Sequence, residues 1–221
     1  MSTAKAKPGD YLEELLNIGI ALSAEKNHTK LLERILREAR RITNADAGTL
    51  YLCEQDRLIF KIVHNDTLGI YQGGQGEPVD LPPVPLNAAN VSSWAALHKK
   101  SVNIPDVYAA DNFDFSGPKK YDAITGYRTG SMLVVPLENY EGEVNGVLQL
   151  LNAKNEKGQT IPFAPELEKI VFSLASQAAV SLTNMQYIQE IDNLFHSFVQ
   201  VMATAIDART PYNVNHTRNI A

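Results

Sequence analysis

The residues best suited to chemistry lie near the C-terminal end. Asp207, Arg209, Pro211 and Tyr212 lead into His216 and Arg218. A histidine flanked by acid and base is a natural ligand for a divalent metal ion. A hydrolytic metal site needs three or more ligands and an open position for water. One histidine cannot make such a site, so no catalytic residue set and no catalytic activity are expected within this chain. A second group lies mid-chain: Phe113, Phe115, Tyr121 and Tyr127, with Arg128. Aromatic walls with one cation suit a planar or anionic small molecule, so these five are the candidate ligand-pocket residues. The plainer reading is that the same side chains plug the space.

Other reactive side chains carry less. The single cysteine, Cys53, excludes an internal disulfide and fits a reducing, cytoplasmic setting. Mid-strand, it reads as a small buried hydrophobe. His64 and His98 are each isolated, which reads as surface histidine rather than haem ligand. Gly73-Gly74-Gln75-Gly76 has no strand before it, helix after it or following lysine, so it is a lid or hairpin loop and not a phosphate cradle.

The elements that must position these residues follow from periodicity. In 221 residues, 44% are apolar and 20% charged, as in ordinary globular proteins. The net charge of −5 argues against nucleic acid or an anionic membrane as partner. No apolar run approaches the roughly 18 residues of a membrane span. Residues 1–9 read as a disordered tail. A helix capped by Asp10 is followed by another over 28–43, broken at Asn44 to Gly48. Residues 49–53 and 58–63 form a hairpin. Residues 79–86 carry three prolines, which confines any strand there to an edge. Asn90 caps a short helix to about Lys99, and Val102 to Pro105 is a short strand before a long loop. Residues 131–137 and 144–151 form a second hairpin, apolar enough to be buried on both faces.

A long helix begins after Pro165. Leu167, Val171, Leu174, Ala178, Ser181, Met185, Ile188, Asp192, Phe195, Val199, Met202 and Ile206 are spaced alternately by four and three. That is a heptad seam with polar breaks at Ser181 and Asp192. The part before Leu182 is expected to pack on its own sheet. The part from Thr183 needs a partner helix, most simply that of a second copy, giving a homodimer.

Two family resemblances organise these observations. Asp207, Arg209, Pro211, Tyr212, His216 and Arg218 resemble the opening of an HD-type metal phosphohydrolase domain of the HD-GYP kind, in which the histidine is the first metal ligand. The resemblance implies that the intact parent hydrolyses a phosphodiester such as cyclic di-GMP at a divalent iron or manganese centre. Residues 10–184 resemble a GAF domain. The carrying residues are Gly130 to Leu137, Gly142, Gly146 to Asn152, and the helix and strand from Ala88 to Asp106. That implies an α+β, PAS-like fold, with a central antiparallel sheet of about six strands, helices on one side, and segments from about 66 to 128 enclosing a pocket.

The cyclic-nucleotide-binding members share a motif of Asn-Lys, Phe and Asp-Glu. Here Asn152, Phe163 and Glu168 match, but Ala153 replaces the lysine, with Lys154 one place late, and Leu167 replaces the aspartate. The motif's ion pair is thus lost. The expected organisation is a GAF sensor domain over 10–184, a signalling helix over 185–206 and the truncated start of an HD domain over 207–221. The expected function is sensing an unknown small molecule and regulating an HD-GYP-type phosphohydrolase. The alternatives are a ligand-free dimerisation scaffold and a sensor for another HD-type nucleotide phosphohydrolase.

Overall fold

The computed structural model describes residues 8–209, and the side chains of 13 and 15–206. The first helix begins at Pro8, so Asp10 falls inside its first turn and not at the expected cap; its side chain, like those of the whole His216 motif, lies outside the described ones. The chain forms two compact units that divide between Leu182 and Thr183.

Within the first unit, two helices come first, α1 (Pro8–Ser23) and α2 (His28–Thr43). The Asn27 side chain accepts the Lys30 amide at 2.9 Å and starts α2. Asn44 ends it in the left-handed conformation (φ 50°), as the break at Asn44 predicts. Leu31, Leu32, Ile35, Leu36 and Ala39 form the buried stripe of α2.

The sheet follows. β1 (Ala45–Glu54) and β2 (Arg57–Asn65) form the first hairpin. β3 (Ile70–Gly73) folds back on β2, and the two-residue β4 (Val84–Pro85) pairs at the other end of β2. After α3 (Val91–His98) come β5 (Val102–Ile104), α4 (Ser116–Thr125), β6 (Met132–Glu138) and β7 (Val144–Lys154), with β8 (Thr160–Ile161) on the end of β7. The antiparallel order is β3-β2-β1-β7-β6-β5, with β4 and β8 off this six-strand path. The expected central sheet of about six strands is this path.

Two glycines mark the close approaches of β7 and α2 to β1. A Cβ on Gly146 would lie 2.2 Å from the Tyr51 carbonyl, so only glycine permits the approach. On β1, a Cβ at Gly48 would strike Leu36 at 2.7 Å, so α2 covers that face, while Tyr51 points to the opposite face with α3. Pro136 lies beyond the reach of β5, whose pairing stops at Val134, so its missing amide leaves no ladder bond unmade on that side.

The last helix, α5, runs Pro165–Arg209. In the first unit it buries Val171, Leu174, Ala178 and Leu182. In the second, Ile188, Phe195 and Ile206 are 62, 63 and 54% exposed. The expectation that the seam is covered only before Leu182 matches this change. No described helix is long and apolar enough to cross a membrane.

Candidate functional site

The segment joining β5 to β6, with α3, covers one face of the sheet. Tyr51, Val91, Ala95, Phe115, Met132 and Val147 form its buried cluster, with Phe60 and Phe113 packed at the edge. The rings are stitched edge to face: Trp94 to Phe113 at 5.7 Å and Phe113 to Phe115 at 6.2 Å between centroids. The Tyr51 hydroxyl donates to Gln149 Oε1 at 3.1 Å, and burial raises its pKa far above that of a free phenol.

The five predicted pocket residues are not gathered in one place. Phe113 and Phe115 sit together in the aromatic cluster. Tyr121 lies on α4 and is partly exposed. Arg128 is exposed, 4.2 Å from the Tyr108 ring and 3.6 Å from Asp106 Oδ2. Tyr127 is buried and turned toward Asp46, donating to its Oδ2 at 2.8 Å.

Asp46 is the centre of a site the sequence did not show. Its side chain is 2% exposed, at the sheet end where β1 begins and β7 stops. Besides Tyr127, its carboxylate receives the Thr67 hydroxyl at 2.9 Å and the Lys154 ammonium in a close ion pair. Its backbone carbonyl receives Arg40 Nη2 at 2.8 Å and the Asp66 amide at 3.0 Å. Arg40 also pairs with Asp66 at 2.7 Å, and Asp66 takes the Tyr71 hydroxyl. A buried carboxylate requires this kind of pairing. Burial, then the Asp46 hydrogen bond, raises the Tyr127 pKa, keeping the phenol a donor.

Asn152 holds the same segment from the other side. In a left-handed conformation (φ 55°), it donates Nδ2 to the Arg128 carbonyl and accepts the Gly130 amide, both at 2.7 Å. The carboxylate of Asp122 fixes Thr129 through its amide and hydroxyl, each at 2.8 Å. Glu168, the other polar match to the nucleotide motif, takes the Ser101 hydroxyl and Asn103 Nδ2 instead. Phe163 is buried.

The remaining candidates have ordinary settings. His98 Nδ1 lies 3.0 Å from the Trp94 carbonyl and its ring stacks on Trp94. Burial lowers His64, and burial pushes the Cys53 thiol up to about 11. Contrary to expectation a strand does precede the Gly73-Gly74 stretch: Gly73 ends β3, both glycines have positive φ and open the turn that follows, where the Gly76 amide donates to the Gly73 carbonyl at 3.0 Å and Glu33 accepts the Gln75 amide at 2.8 Å. Among the described residues, no group of three His, Cys, Asp or Glu is placed to hold a metal ion.

A six-strand antiparallel path with α2 against one face and α3 and a long strand-to-strand connection on the other defines an α+β domain of PAS-like build. Residues 27–182 match the GAF domain family, and the chain belongs to it. It is 29% identical over 171 residues to a dual 3′,5′-cyclic-AMP and -GMP phosphodiesterase 11A of Takifugu rubripes. That match covers 75% of this chain but 18% of the relative's length. Among solved structures, the GAF domain of a Coxiella burnetii phosphoenolpyruvate-protein phosphotransferase superposes with TM-score 0.63 at 16% identity, covering 84% of this chain and 99% of that one. The free methionine-R-sulfoxide reductase of Neisseria meningitidis, solved with its substrate, gives 0.60 at 17%, covering 85% and 97%. At these identities the structural likeness is one of fold.

Proposed function

We propose that this chain is a cytoplasmic regulatory GAF module that takes up a small molecule under the β5–β6 segment and passes its state along α5. Dimerisation of α5 is the means, and an HD-GYP-type metal-dependent phosphohydrolase domain, beginning at the His216 motif, is the target. The observation that carries the reading is the uncovered seam of α5. Ile188, Phe195, Val199 and Met202 are 62, 63, 38 and 47% exposed on one helical stripe. Such a stripe calls for a partner helix. A second copy supplies one with the same stripe in the same register.

Ile191, Leu194, Phe198 and Val201 widen the apolar arc beyond a two-stranded seam, which favours a helix bundle. Asp192 interrupts the seam, so the packed state competes with alternatives only a few kcal/mol away. A sensor needs that margin.

The phosphohydrolase assignment rests on the resemblance around His216, which would supply one ligand to a divalent iron or manganese. The likeness to a cyclic-nucleotide phosphodiesterase supports a nucleotide-signalling setting. The packing of Phe113 and Phe115 favours a second reading, in which this face is plugged and the domain serves only for dimerisation. Native mass spectrometry of the purified chain separates the two: the first reading predicts a dimer mass with a retained small molecule, the second a dimer of bare polypeptide.

A further inference from the structure

We infer that the Asp46 site is a latch that couples opening of the β5–β6 segment to the C-terminal turn of α2. The inference rests on the sensor reading above but concerns a different part of the molecule from the α5 seam. Asp46 has two sets of contacts. Its carboxylate holds Tyr127, just after α4, together with Thr67 of the β2–β3 turn and Lys154 of β7. Its carbonyl, on the same residue, holds Arg40 of α2. Arg40 also binds the Ala45 carbonyl and Asp66, the neighbour of Thr67. Tyr127 and Arg40 are therefore joined by one residue and one turn.

The chemistry makes the joint two-state. Asp46 is buried and ion-paired, so it cannot lose a donor without finding another or admitting water. When Tyr127 leaves with the segment after α4, the carboxylate must be satisfied by Lys154, Thr67 and solvent alone. Lys154 and Thr67 are themselves joined at 3.1 Å, so they move as a pair. Thr67 moves the β2–β3 turn, and with it Asp66 and the Arg40 ion pair. The α2 side of the sheet thus receives the opening of the opposite side. A ligand that shifts Tyr127 acts on α2 without touching it.

The test is hydrogen exchange on the full chain, wild type against Tyr127→Phe, with Thr67→Val as an independent probe from the turn. Loss of one hydrogen bond to a charged group corresponds to about tenfold faster opening. The latch predicts about tenfold faster exchange in peptides covering 116–131 in Tyr127→Phe. It also predicts acceleration in peptides covering 38–46 and 64–69, with β6 and β7 unchanged. Thr67→Val must accelerate 116–131 in return, because coupling is reciprocal. Acceleration confined to the mutated segment, in either variant, overturns the inference. So does no change at all. None of these outcomes depends on ligand or on dimerisation, so the sensor reading stands or falls separately.

Discussion

The Lys154 ammonium closes on the Asp46 carboxylate across 108 residues of sequence, joining the last residue of β7 to the start of β1. Leu167 stands where the nucleotide motif has its acid. Lys154, one place late for that motif, has its own acid in the sheet instead of one on α5. Asp46 is 2% exposed and Lys154 30%. Removing Lys154 leaves the buried carboxylate short of one donor, whereas removing Asp46 takes the acceptor from the Tyr127 and Thr67 hydroxyls and from Lys154 at once. Lys154→Ala is expected to destabilise the domain by about 1–3 kcal/mol, and Asp46→Ala by about 3–5. Urea denaturation reads both. Equal and small losses would show that the site is solvated in solution.

Two glycines should respond unequally to the same substitution. Gly146→Ala drives a methyl to 2.2 Å from the Tyr51 carbonyl and should cost about 1–3 kcal/mol as β1 and β7 part. Gly117→Ala, in the first turn of α4, meets nothing within 4 Å beyond its chain neighbours, but a Cβ before Pro118 disfavours the helical backbone, so no stabilisation is expected and the cost should stay within about 1 kcal/mol. Thermal melts of the pair check this.

Stability should fall with acid in two stages. Burial, then Arg40, lowers His64 below its ordinary 6.5. The unfolded chain therefore takes that proton first, and stability is lost as pH falls from 6.5 toward the folded value. Asp66 sits below its ordinary 3.8: burial pushes it up, but hydrogen bonds from Arg40 and Tyr71 outweigh that. Its contribution is present above 3.8 and is lost as pH falls through the folded value. Arg40→Met should flatten both stages in urea midpoints measured from about pH 7.5 to 3.

Cys53 should be a slow nucleophile. With its thiol pushed up to about 11, only about a thousandth is thiolate at pH 8. Iodoacetamide labelling in native buffer should run at least tenfold slower than in urea, and comparable rates would place Cys53 outside the strand packing.

Much of this architecture was legible because it repeats. The stripe of α2, the two hairpins and the heptads of α5 each declare themselves within a few turns or strand residues. α4 was hidden: Ser116-Gly117-Pro118 reads as a breaker, and Asp122 is its one buried residue, so no apolar period marks it. β8 has two residues and β3 four, too short for a pattern. The Asp46 site was illegible for a different reason. Its partners come from positions 40, 67, 127 and 154, and no local rule joins them. Asp46 itself read as part of a helix break. The one available signal was Lys154, a lysine displaced by one place from a motif. Tyr127 was singled out as a pocket residue, and its hydroxyl instead serves the buried acid. The His216 motif lies outside the described side chains.

Coupling of two copies of this chain through α5 is the central claim, and sedimentation velocity tests it most directly. Wild type should run as a dimer at micromolar concentration. Phe195→Asp with Val199→Asp should run as a monomer, with the circular dichroism and urea midpoint of the first unit unchanged. A wild-type chain that stays monomeric at several hundred micromolar would contradict the claim, as would a double variant that remains dimeric.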